Sequence, residues 1–116
     1  MESTFRAAFK AAGIPARASL ARLDVTELGK LAPSLLVCDV DECTVDPLEL
    51  LRQIRFVLPE SMIAVYTGDV DRSWGLACHL AGANCLLSKE SDEPSLTMGL
   101  RGALESGCYT DPRFAA

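Results

Sequence analysis

Histidine is nearly absent from this chain: His79 is the only one in 116 residues. A His-rich metal centre or a Ser-His-Asp triad is therefore not expected. Cysteine is present five times, an odd number, and no two fall in a C-x-x-C pair. In a chain with no export signal these read as reduced core thiols, not a disulfide framework. Basic residues are in deficit, 11 Lys and Arg against 16 Asp and Glu, for a net charge of −5. No basic patch could then offset phosphate repulsion, so direct nucleic-acid binding is not expected. No apolar run approaches membrane-spanning length, and the start Met1-Glu2-Ser3 is acidic and lacks a signal-type apolar core. The expectation is a cytoplasmic domain without membrane contact. Repeats, low-complexity stretches and linkers are absent too. What remains is 49% hydrophobic and 23% charged, a globular composition sized for one core, so residues 1–116 read as a single domain.

The most informative stretch is Leu35-Leu36-Val37-Cys38-Asp39-Val40-Asp41. A short, unbroken apolar run fits a strand buried on both faces, as in a parallel sheet. Chemistry in open α/β sheets collects past the carboxyl ends of the strands. Asp39 falls there, expected to point to solvent.

In chain order, Ser3 caps a helix predicted over Thr4–Ala12, with Phe5, Ala8, Phe9 and Ala12 on one face and Gly13 at its end. A short strand is expected in the first part of Ala16–Leu23. Asp24 and Glu27 resemble a capping box for a short helix ending before Pro33. After the Leu35–Cys38 strand and an acidic loop, Asp46-Pro47-Leu48-Glu49 is a strong helix start. That helix should bury Leu48, Leu51, Ile54 and Leu58. A second strand is expected over Met62–Tyr66, then a helix starting at Asp71 and closed by Gly82. A third strand, Cys85–Leu87, precedes a last helix from Pro94 or Ser95 to Gly107. Strands alternating with helices predict a parallel α/β sheet with right-handed crossovers.

Asp39, Thr67 and Lys89 would then end successive strands, 28 and 22 residues apart, about one βα unit each. A carboxylate, a hydroxyl and an ammonium at one sheet edge suit phosphoryl chemistry: the first attacks phosphorus, the others hold its oxygens. Each residue alone reads more simply as a polar strand end meeting water. It is the three in register that single out the site.

These segments resemble a known family. Pro33–Asp39 with Asp46–Arg55 looks like the third strand and third helix of a response-regulator receiver domain. Ile63–Gly68 looks like its fourth strand, and Ala81-Gly82-Ala83-Asn84-Cys85-Leu86-Leu87-Ser88-Lys89 is the most specific match. The tail Ala103–Pro112 resembles the end of receivers that precede a helix-turn-helix of the NarL/FixJ class, and the expectation is a receiver-like domain without such an output domain. The resemblance implies a flavodoxin/CheY-like three-layer fold. It makes Asp39 the phospho-acceptor candidate, Thr67 the switch hydroxyl, Lys89 the phosphate-contacting lysine and Gly68 the small residue beside the phosphoryl group.

It also exposes departures. The family's first strand, with its acidic Mg2+-holding pair, has no counterpart, because the chain opens on what matches the first helix. Leu86 stands where a switch aromatic is usual, Glu90 follows the lysine in place of proline, and Cys43 replaces a loop proline. Asp39 and Asp41 are the remaining metal-ligand candidates, and weak or no Mg2+ binding is expected. The bland reading of Asp41 and Glu42, a solvated acidic loop, is favoured over a metal site. The chain thus reads as an atypical, stand-alone receiver, not an enzyme, acting through protein contacts with a histidine kinase or another regulator. Whether Asp39 is phosphorylated or vestigial stays open.

A rival resemblance is the D-x-D-x-T signature of haloacid-dehalogenase-type phosphohydrolases, matched by Asp39-Val40-Asp41 with the Thr displaced by one. There Asp39 would be nucleophile and Asp41 general acid/base, with Thr67 and Lys89 in support. The Gly82-Ala83 segment and the tail favour the receiver. A sheet without its central strand leaves an open edge and poorly covered helix faces, so a homodimer is expected.

Overall fold

Alternation along Leu35–Asp39 sends successive side chains to opposite sides, and both sides are apolar. A computed structural model of the chain describes residues 30, 34–43 and 45–115. It shows four parallel strands, β1 (Leu35–Asp39), β2 (Met62–Thr67), β3 (Cys85–Ser88) and β4 (Tyr109–Thr110), in the order β1-β2-β3-β4. Helices α1 (Pro47–Val57), α2 (Arg72–Leu80) and α3 (Glu93–Ser106) connect them. The predicted Thr4–Ala12 helix, the strand after Ala16, the Asp24 helix and the loss of a first strand lie outside the described residues.

Each helix begins where a short acidic side chain takes an orphan N–H. Asp46 accepts from Leu48 N at 3.0 Å, Asp71 from Ser73 N at 2.9 Å and Asp92 from Ser95 N at 2.9 Å. Pro47 fills the first turn of α1 and Pro94 that of α3. The last helix therefore starts one residue before Pro94, because Asp92 is its cap.

Two cores sandwich the sheet. On one face Cys38, Ile63, Val65 and Leu86 meet Leu51 and Ile54 of α1, Cys78 of α2 and Phe114. On the other, Ala64, Tyr66, Cys85 and Leu87 meet Leu96, Leu100 and Ala103 of α3. Cys38, Cys78 and Cys85 are core thiols, and burial pushes them up to about 12, 11 and 12 respectively. At that height they stay protonated and unreactive. Trp74 is half-buried, and exposed His79 places its Nδ1 3.0 Å from Ala83 O at the end of α2.

The end of the sheet opposite the site is tied by one side chain. Arg55 of α1 donates to Leu58 O at 2.9 Å, Ser61 O at 2.7 Å and Gly82 O at 2.7 Å. It also reaches Asn84 Oδ1, which accepts in turn from Ile63 N at 2.9 Å. Gly82 lies at φ 125°, and a Cβ there would sit 2.9 Å from Arg55 Cβ, so glycine is needed both for the turn and for the arginine's passage.

Among the described residues one strand was not expected: Tyr109–Thr110, just past the predicted end of the last helix at Gly107. Two residues are too short for a period-2 signal. A 3-10 turn, Pro112–Ala115, follows and buries Phe114 beside Gly75, where a Cβ would come within 2.8 Å of the ring. Ser91 Oγ donates to buried Asp111 at 2.6 Å and Arg113 closes on both, fixing this end to the β3–α3 loop.

Candidate functional site

The register decides what meets at the carboxyl edge. Asp39 lies level with Tyr66, and Thr67 level with Ser88, so Asp39, Thr67 and Lys89 leave adjacent strands within one residue of each other. Lys89 N also donates to Thr67 O at 2.9 Å, continuing the ladder one step past β3.

Lys89 Nζ lies 2.9 Å from Asp39 Oδ1 and 3.1 Å from Asp41 Oδ2. It also sits 5.7 Å from the centroid of the Tyr66 ring, whose π-face favours a cation there. Thr67 is fully buried; its hydroxyl donates to Asp41 Oδ1 at 2.7 Å and accepts from Asp69 N at 3.1 Å. Gly68 N donates to Asp41 Oδ2 at 2.8 Å.

One expectation is corrected and a second is refined. Asp39 does not face solvent: its side chain is 10% exposed, beneath Lys89. Asp41 is exposed, as expected of an acidic loop, yet both its oxygens are held, by three donors. The cause is local. Asp39 Oδ1 accepts from Asp41 N at 3.1 Å, capping a 3-10 turn over Val40–Glu42. Val40 is buried, and the turn swings residue 41 back over the end of β2. The signal in the sequence is the D-x-D spacing, since Asp often caps a turn two residues on. Glu42 remains exposed.

The electrostatics follow from these contacts. Partial burial works to raise the Asp41 carboxyl, but the Gly68 amide, the Thr67 hydroxyl and the Lys89 ammonium outweigh it, holding it below the usual range. Burial likewise works to lower Lys89, yet Asp39 and Asp41 hold its ammonium above the ordinary value.

For a divalent cation the fit is poor. The Asp39 and Asp41 carboxylates share the Lys89 ammonium, and an ion between them would have to displace it against like charge. Among the described residues no group of three His, Cys, Asp or Glu side chains is placed to hold a metal ion. Two shallow surface hollows, of about 380 and 480 Å³, lie against α1 and against the α3–β4 side, and no site residue lines either.

A parallel sheet with helices on both faces has the CheY-like receiver fold, and the solved structures agree in fold. The isolated REC domain of RcsB from Salmonella enterica serovar Typhimurium matches 99% of this chain and 90% of its own, with TM-score 0.74 at 18% identity. A LuxR-family two-component response regulator from Aurantimonas sp. SI85-9A1 matches at TM-score 0.67 and 24% identity, over 88% of this chain and 73% of that one. The response regulator DrrB of Thermotoga maritima, an OmpR/PhoB homolog, matches at TM-score 0.70 and 19% identity, over 93% of this chain and half of its own. No protein-family model matches the sequence, and no curated protein is similar to it. Among the described residues no helix is long and apolar enough to cross a membrane.

Proposed function

We propose that this chain is an atypical receiver-type module of two-component signalling, working through contact with a histidine kinase or another regulator and not by substrate turnover. The observation that carries this is the placement of Asp39, Thr67 and Lys89 on three neighbouring strand ends, with the lysine 2.9 Å from the carboxylate. The structural likeness supports it. The RcsB domain was solved with phosphomimetic BeF3−, and a similar Burkholderia pseudomallei response regulator carries a phosphorylated aspartic acid with a calcium ion (TM-score 0.64, 19% identity). Asp39 is the corresponding acceptor candidate. With Lys89 bonded to both carboxylates, Mg2+-dependent phosphorylation is expected to be inefficient.

The test pairs the purified chain with histidine kinases of the same genome and, separately, with para-nitrophenyl phosphate. Binding to at least one kinase is expected, with no hydrolysis of the ester. Steady hydrolysis that disappears in Asp39→Asn would overturn the proposal in favour of the haloacid-dehalogenase-type reading, with Asp41 as acid/base.

A homodimer fits the same reading. Among the described residues β1 pairs only with β2, and Phe56, Leu76 and Leu80 are 85%, 58% and 76% exposed. Apolar side chains this exposed favour association. Sedimentation at micromolar concentration is expected to show twice the chain mass of 12.4 kDa; a purely monomeric species would refute the dimer.

A further inference from the structure

Three donors from two different loops end on one carboxylate. The buried Thr67 hydroxyl reaches Asp41 Oδ1, while the Gly68 amide and the Lys89 ammonium share Oδ2. A hydroxyl, a backbone N–H and an ammonium converging at strand ends form a receptor for an oxyanion. Asp41 and Lys89 close over the Gly68 amide at contact distance: a Cβ on Gly68 would make ordinary contacts of 3.5 Å with Asp41 Oδ2 and 3.8 Å with Lys89 Cδ.

An ordinary surface ion pair makes one contact and wanders among rotamers. Asp41 differs on both counts. Both its oxygens are engaged, and its backbone is set by the Asp39-capped turn and by Val40 inserted into the core. Its position is therefore built by the fold and not left to a free side chain.

We propose that Asp41 is the resident ligand of this oxyanion site: its carboxylate occupies the donors that would otherwise hold a phosphate group, free or carried on Asp39. The inference rests on the receiver reading, in which this edge is the phosphate site. Two consequences follow. The Thr67 hydroxyl is held toward the site without any external ligand. An incoming phosphate must displace a carboxylate that stays on the same chain, and must bind beside its charge. The site is satisfied from within, and phosphate is kept out.

The test uses inorganic phosphate as probe and the Gly68 amide as reporter, in 1H–15N spectra of the full chain. The natural protein is expected to show no saturable shift at Gly68. Asp41→Ala is expected to bind phosphate there at least about tenfold more tightly, a gap of about 1.4 kcal/mol. Asp39→Ala removes the same charge but leaves Asp41 in place, so it should gain far less. Asp41→Ser serves as a second vacating variant should the alanine form fold poorly, which the dispersion of the same spectra reports. Equal binding by the natural chain, no binding by either vacated variant, or an equal gain in Asp39→Ala would each overturn the proposal. Phosphate binding needs no kinase and kinase binding needs no phosphate, so a failure here is separable from a failure of the receiver reading.

Discussion

Arg55→Ala is expected to lower folding stability by about 3 kcal/mol. The guanidinium joins the end of α1, the approach to β2 and the turn before β3. Its partners are three backbone carbonyls within 2.9 Å and the Asn84 side chain. Removing it strands those acceptors in half-buried positions and frees Asn84, which also holds Ile63 N. Arg55→Lys should recover less than half, because an ammonium is a point donor and cannot span three segments. Urea denaturation checks this, and thermal unfolding should shift by about 4 °C per kcal/mol. A loss below about 1 kcal/mol would show that water replaces the clamp without penalty.

The second large effect belongs to Lys89→Met, expected to lose about 2 kcal/mol at neutral pH and to change the pH profile in shape. In the natural chain the Asp41 carboxyl is held low, so its contribution is complete above the unfolded value and lost as pH falls through the folded one. Lys89 is held high, so its contribution is complete below the unfolded value and lost only as pH rises through the folded one. Between them stability should be level, from about pH 5 to 10 as far as this pair decides it. Without the ammonium, Asp41 loses one of its three donors while the Gly68 amide and the Thr67 hydroxyl remain, so its carboxyl should be held low less strongly. The variant then has less carboxylate stabilisation left to lose as pH falls below about 5, and no lysine contribution to lose above about pH 10. Denaturation midpoints on both sides of the plateau decide the matter; a variant as steep as the natural chain at both ends would sink the argument.

Much of this was legible in the residues. Capping Asp46 and Asp71, the prolines at helix starts, and Gly82 mark boundaries by local chemistry, and local chemistry is what a sequence displays. Asp39, Thr67 and Lys89 could be placed at one edge because three apolar runs each end in a polar residue. Asp41 could not be placed the same way. Its position depends on a turn closed by the neighbouring aspartate and on donors 26 and 27 residues away, a coincidence of register that periodicity does not encode. Arg55 was similarly hidden. An arginine near a helix end reads as solvated, and only the approach of Gly82 and Asn84 reveals otherwise. Strand β4 escaped because its pairing with β3 involves two residues and is fixed by Phe114 and the Ser91–Asp111 bond, not by its own pattern.

That last arrangement has a mechanical meaning. Phe114 fills the gap left by Gly75 in α2, the helix that follows Thr67, and Asp111 is fastened to the loop that follows Lys89. A pull applied near residue 115 would not be dissipated in slack chain. It would pass through an aromatic ring to one element beside the site and through a 2.6 Å hydrogen bond to another. This end of the chain and the carboxyl edge therefore share two joints, the Phe114 ring against Gly75 and the Ser91–Asp111 bond.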